Sequence, residues 1–168
     1  FTLFMPPESQ ALDRVTLQLK WLHQFQFAGY YAALEKGFYR EAGLDVQIRE
    51  GGPNVDAIED VVTGRADFGV GTSGALIARA QGKEVVVLAA VFQHSPAILL
   101  VPRRAAVSSI FALQDRPLMD TPGSEDIAAM LKLAGVDYAK MPRVKHNGDP
   151  LDLVSGKADA MVAYSTNE

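Results

Sequence analysis

An α/β fold in two lobes, each a parallel-rich sheet flanked by helices, is what the sequence predicts, and three observations predict it. Helical and strand patterns alternate almost throughout, which calls for crossover helices on the faces of parallel strands. The stretch Val62-Thr-Gly-Arg-Ala-Asp-Phe-Gly-Val70 is written nearly again at Val154-Ser-Gly-Lys-Ala-Asp-Ala-Met-Val162, with Val, Gly, Ala, Asp and Val in identical places. Thr63 is matched by Ser155 and Arg65 by Lys157, so each copy reads as helix end, left-handed glycine and buried strand. Small or polar residues follow both copies, Gly71-Thr-Ser-Gly74 and Tyr164-Ser-Thr-Asn167, where open α/β sheets bind ligands. Two unrelated turns of a common kind would leave the same marks; a duplicated architecture places a binding site between two lobes.

The elements follow in order. Residues 1–14 read as an N-terminal arm without periodicity, and Val15 to Leu19 alternates as a first strand. Trp21 to Gln26 is a patch of aromatic and amide side chains, and Phe27 to Leu34 has helical spacing with Tyr31 and Leu34 inward. Gly37 and Gly43 end helical turns, and Leu44, Val46 and Ile48 share a strand face. After Gly51-Gly-Pro53, Val55, Ile58, Val61 and Val62 form a helical stripe, with Asp56 and Glu59 as its capping pair. Phe68 to Gly71 is the third strand, a short helix closes at Gly82, and the apolar run Val85 to Val91 is expected to be a strand covered on both faces. The crossover falls near Pro96, so residues 15–95 form one lobe and 96–168 the other. In the second lobe strands are expected at Ala97–Val101, Leu118–Asp120, Arg143–Lys145 and Ala158–Ala163. Helices are expected from Ile127 to Ala134 and from Asp149-Pro150 to Gly156.

Composition narrows the chemistry. The chain is 48% apolar, with 16 basic against 20 acidic residues and a formal charge of −4, so no nucleic-acid groove is announced. It has no cysteine, which removes thiolate catalysis and Cys-ligated metals. No apolar run reaches the length of a membrane span, the longest being Val85 to Phe92. The chain starts at Phe1 without a signal-like stretch, so an export signal is expected to have been removed or never included. His23, His94 and His146 are scattered, of which His94 and His146 follow predicted strands, and no catalytic or phosphate-loop motif occurs. No cofactor is expected.

The run Leu17-Gln-Leu-Lys-Trp-Leu-His-Gln-Phe-Gln-Phe-Ala-Gly-Tyr-Tyr-Ala-Ala-Leu-Glu-Lys-Gly-Phe-Tyr-Arg-Glu-Ala-Gly-Leu-Asp-Val46 resembles the opening of the family that binds thiamine-pyrimidine precursors, related to the alkanesulfonate-, nitrate- and taurine-binding proteins. Asp120-Thr-Pro-Gly-Ser-Glu125 and Ala163-Tyr-Ser-Thr-Asn-Glu168 resemble its second-lobe motifs. The resemblance implies a type-II periplasmic-binding-protein fold, solute capture by lobe closure and a periplasmic or otherwise extracytoplasmic setting. It also implies a chain that continues past Glu168, so the second lobe is expected to be incomplete and the truncated chain to self-associate through uncovered edges. Two partners stay open, the permease of an ABC transporter and a signalling domain fused to a ligand-sensing domain. A two-lobed biosynthetic enzyme is a third alternative, but the iron site of pyrimidine synthases needs a Cys-rich motif that is missing here.

The expected ligand is a flat nitrogen heterocycle, a thiamine-pyrimidine precursor, held by side chains beyond strand ends. Those side chains are Trp21, Phe25 and Gln26 after the first strand, Thr72 and Ser73 after the third, and Phe92 and His94 after the run Val85 to Val91. The second lobe offers Thr121, Ser124, Tyr164 and Asn167. This inventory is aromatic and neutral-polar, without the cation a sulfonate pocket would want; the competing reading makes Trp21 and Phe92 lobe-core residues.

Overall fold

The structure, a computed structural model, describes residues 11–103, 107–121 and 123–165. A three-stranded parallel sheet takes the first half of the chain, in the order β2-β1-β3, with β1 at Asp13–Gln18, β2 at Leu44–Arg49 and β3 at Phe68–Gly69. Between β1 and β2 run α1 (Ala28–Glu35) and α2 (Phe38–Glu41), and α3 (Ala57–Val62) leads into β3. Leu17, Leu19, Phe27 and Val46 form this sheet's buried cluster, against which Tyr30, Tyr31, Tyr39 and Ile48 pack. The period-two pattern of β2 has its physical outcome here, Val46 being buried while Asp45 and Gln47 face out.

The second sheet has the order β4-β7-β5-β6, with β4 at Ala97–Leu100, β5 at Leu118–Asp120, β6 at Arg143–Lys145 and β7 at Ala160–Tyr164. β5, β6 and β7 are parallel, whereas β4 pairs with β7 in the antiparallel sense. Successive β5 and β7 residues enter opposite faces. Leu118, Ala160 and Val162 pack with Ile127 and Leu131 of α5 (Glu125–Leu133), while Met119, Met161 and Ala163 pack with Leu153 of α6 (Leu151–Ser155). A strand apolar at every position is thereby covered twice, as the uninterrupted run requires.

The written repeat is also a physical one. Gly64 (φ 72°) follows α3 and Gly156 (φ 82°) follows α6, both in the left-handed region that turns the chain back toward the sheet. In the first copy the Asp60 carbonyl accepts the Arg65 and Ala66 amides at 2.8 and 3.1 Å, and in the second Asp152 accepts Lys157 and Ala158 at 3.0 and 3.4 Å. The side chains repeat the arrangement, Arg65 on Asp60 and Lys157 on Asp152, each at 2.7 Å. The amides of Asp67 and Asp159 then donate to the neighbouring strand's edge, at Thr16 and Pro117. The copies differ in place: β7 is central in its sheet, whereas β3 lies at the edge of the described one.

Most predicted elements occur within a residue or two of their expected limits. The Asp56 carboxylate accepts the Ile58 and Glu59 amides, both at 3.0 Å, as an N-cap should. Three expectations need correction. β1 starts at Asp13, two residues inside the expected arm, whose first ten residues lie outside the described ones. Leu34 is on the outer side of α1, 37% exposed, because Phe27 fills the position beneath the sheet. The run Val85 to Val91 forms no strand: Val86, Val87, Leu88 and Val91 are 60–79% exposed. It stands off β1 and β3 across an apolar space of about 580 Å³ lined by Val15, Leu17, Phe68 and Leu88. An unbroken apolar run specifies burial without specifying a pairing partner, and β3 offers a ladder of two residues.

Because the two glycines play one role, Gly64→Ala and Gly156→Ala should each destabilise the chain by about 1–2 kcal/mol, the cost of a Cβ in the left-handed region. Urea unfolding midpoints check this, and equal shifts for the two variants are the expected outcome.

Candidate functional site

The carboxyl ends of the parallel strands from both sheets converge on one cleft of about 330 Å³. From the first sheet come Lys20, Trp21 and Gln26 after β1, Gly52, Pro53 and Asp56 after β2, and Gly71 and Thr72 after β3. From the second come Thr121, Ser124, Glu125 and Asp126 after β5, His146 after β6, and the last residues of β7 to Tyr164. α4 (Gly74–Ala80) contributes Gly74, Ile77 and Ala78.

Local structure fixes these positions. Buried Gln18 ties the end of β1 to β2, donating from Nε2 to the carbonyls of Leu19 at 3.0 Å and Glu50 at 2.9 Å. Gly51 then passes so close to the chain after β1 that a Cβ would stand 2.3 Å from the Leu19 carbonyl, so only glycine fits. Its amide donates to the Trp21 carbonyl at 2.9 Å.

Side-chain contacts span the cleft. Lys20 Nζ donates to the Tyr164 hydroxyl and lies 4.0 Å from that ring's centroid. Trp21 meets His146 edge to face, ring centroids 5.8 Å apart at 90°. Thr72 Oγ1 donates to Glu125 Oε2 at 3.3 Å, and the same carboxylate lies against Gly74, where a Cβ would be 2.9 Å away. Around Glu125, Ser124 Oγ donates to the Thr121 carbonyl at 2.9 Å, and Ser95 Oγ donates to Asp126 Oδ2 at 2.7 Å.

Hydrogen bonds and burial act on the titratable groups of the cleft. His146 is 4% exposed, its Nε2 donating to the Val162 carbonyl at 2.8 Å and its Nδ1 accepting the Gly148 amide at 3.0 Å. Both ring nitrogens are thus engaged by the backbone. Burial lowers the Lys20 ammonium to about 8, opposed by the charge of Asp126. Behind the cleft, burial and a hydrogen bond to Asp120 raise the Tyr138 phenol far above its usual value, with Arg143 against the same carboxylate at 3.6 Å. Among the described residues no group of three His, Cys, Asp or Glu is placed to hold a metal ion.

Of the side chains expected at a binding site, the cleft brings together Trp21, Gln26, Thr72, Thr121, Ser124 and Tyr164. Four lie elsewhere. Phe25 is 93% exposed, because the 3-10 turn Phe25–Phe27 spends its inward position on Phe27. Phe92 stands behind the site, its ring edge on Tyr164 at 6.5 Å, and Ser73 and His94 are exposed outside the lining. Asn167 lies outside the described residues. The expectation of a cleft without a cation is corrected by Lys20, and two carboxylates, Glu125 and Asp126, line the cleft as well. Position after a strand end, the criterion applied to their neighbours Trp21 and Ser124, would have found all three.

The desolvation of Lys20 carries a stability sign. Its folded value lies below the usual 10.5, so the folded chain resists a proton that the unfolded chain binds, a cost present below pH about 8 that fades as pH rises toward 10.5. Lys20→Met should therefore melt no lower than the parent at pH 7, with its advantage shrinking as pH rises through that window. Thermal melts across pH 7 to about 10.5 check it.

Comparison with known proteins places this geometry. The family described as NMT1/THI5 like matches residues 24–168. A curated relative, the riboflavin-binding protein RibY of Chloroflexus aurantiacus, is 26% identical over 117 residues, which are 67% of this chain and 33% of that protein. A solved protein of Bordetella bronchiseptica is similar in fold, with a TM-score of 0.75 at 20% identity over 90% of this chain and 51% of that one. The alkanesulfonate-binding protein SsuA of Xanthomonas axonopodis pv. citri, solved with MOPS, gives 0.62 at 18% identity over 92% of this chain and 55% of its own. This chain therefore spans about half the length of these solved proteins and a third of the curated relative. With the match running from the turn after β1 through the whole of the second sheet, well over half of the chain, the chain belongs to the NMT1/THI5-like family.

Proposed function

We propose that this chain is the capture part of an extracytoplasmic solute-binding protein, holding a flat nitrogen heterocycle, a thiamine-pyrimidine precursor, between its two sheets for the permease of an ABC transporter. The observation that carries the reading is the cleft itself. Aromatic rings enter it from opposite sheets, Trp21 from the first and Tyr164 from the second, among amide and hydroxyl groups of Gln26, Thr72, Thr121 and Ser124. Stacked or edge-on aromatic contacts add roughly 0.5–1.5 kcal/mol each beyond burial, and a few polar groups orient the ring. Gln26 contributes an Oε1 that is buried without a partner among the described residues, an acceptor waiting for an N–H. Capture rather than catalysis is supported by His146, whose two nitrogens are both engaged in backbone hydrogen bonds. Family membership supports the solute-binding role and the transporter partner. The relative named for riboflavin binding supports a heterocycle, and it favours a second reading in which the ring system is larger.

Titration calorimetry with an aminopyrimidine, riboflavin and a small alkanesulfonate tests the proposal. The aminopyrimidine should bind, and Trp21→Ala should weaken it about tenfold, the equivalent of ~1.4 kcal/mol. Tighter binding of riboflavin would move the assignment to the larger ring. Sulfonate binding without heterocycle binding would overturn it.

A further inference from the structure

Lys20 has three N–H donors, and in the described structure one is used, on the Tyr164 hydroxyl. None of the ion pairs among the described residues includes it. A half-buried ammonium with donors to spare, on the wall of a ligand cleft, is poised to receive a partner from the ligand. The charges around it decide which partner. Glu125 and Asp126 at the start of α5 and Asp56 at the start of α3 line the same cleft. Against them stand Lys20 itself and Lys83, the latter neutralised by Glu59 at 2.6 Å. From β7 Lys20 meets a phenol, and the His146 imidazole beyond β6 spends both ring nitrogens on backbone hydrogen bonds. Three carboxylates against one uncommitted cation make a field that disfavours an anionic ligand while leaving a strong hydrogen-bond donor in place.

Resting on the proposed capture of a heterocycle, we infer that Lys20 is the specificity-determining donor of the cleft, selecting a neutral ligand by a ring nitrogen or carbonyl oxygen, and that the surrounding carboxylates reject sulfonates and phosphates. Such binding has a proton linkage. A ligand that accepts from the ammonium holds it protonated, so binding takes up protons where the free lysine has lost them, above pH about 8.

Calorimetry on the purified chain, with an aminopyrimidine and a small alkanesulfonate as probes, separates the possibilities. The expected result is pyrimidine affinity that is level from about pH 6 to 7 and falls toward tenfold per unit above about 8. The binding heat should depend on the buffer's ionisation enthalpy in a way that reports proton uptake. Lys20→Met should lose about tenfold or more at pH 7, and Lys20→Gln, an uncharged donor, should recover part of that with no decline above pH 8. A Lys20→Met variant that binds the pyrimidine like the parent, pH profile included, would overturn this role while leaving heterocycle capture standing. Sulfonate binding abolished by Lys20→Met would make Lys20 an anion receptor and overturn it too. Failure of the parent chain to bind any heterocycle would remove the underlying reading and this inference with it.

Discussion

The arrangement depends on how two helices end. The last carbonyls of a helix have no partner within it, and a chain turning back to a buried strand needs those groups satisfied before water is excluded. Here one carbonyl, of Asp60 in the first copy and Asp152 in the second, accepts two amides of the turn, while its own carboxylate holds the basic residue that follows the glycine. The glycine's left-handed backbone makes the geometry reachable. The small alanine after it, Ala66 or Ala158, is buried where the turn docks on the sheet. Everything beyond follows by direction: β3 delivers Gly71 and Thr72 to the cleft from one sheet, and β7 delivers Tyr164 from the other.

That turn was legible in the sequence because all its determinants are local. So were β1 and β2, whose alternation needs a core on one side, and α3, whose first carboxylate can be recognised as a cap from spacing alone. Legibility ended where an outcome depended on a distant partner. Val85 to Val91 has the composition of a covered strand, yet pairing requires a neighbouring edge, and nothing in the run names one. Phe25 and Phe27 are two residues apart and chemically identical; the handedness of a three-residue turn sends one into the core and the other to solvent.

Lys20 marks the same limit within the cleft. A lone lysine in a sequence reads as a solvated side chain, since few are ever buried. Its altered state here comes from burial against the other half of the chain, where Tyr164 accepts its hydrogen bond and the charge of Asp126 opposes the shift. His146 shows the converse. It followed a predicted strand and so drew attention as a functional group, but the carbonyl of Val162 and the amide of Gly148 use it to brace the loop after β6 against β7, and Trp21 rests on its ring. A polar residue near a site can be framework, and an unremarked one can be the reader of the ligand.

Gly74 sets a gauge on this molecule. Its Cα is as near to the Glu125 carboxylate as a hydrogen in place of a side chain allows, and Gly123 stands comparably close to Thr72, where a Cβ would be 3.3 Å from Oγ1. Both leave room for a side chain of the other half, Gly74 for Glu125 and Gly123 for Thr72. A methyl group at either would press on that side chain, which would have to give way, and at Gly123 (φ 91°) it would strain the backbone as well. The spacing of the two halves is thereby set in part by glycines on the cleft wall itself.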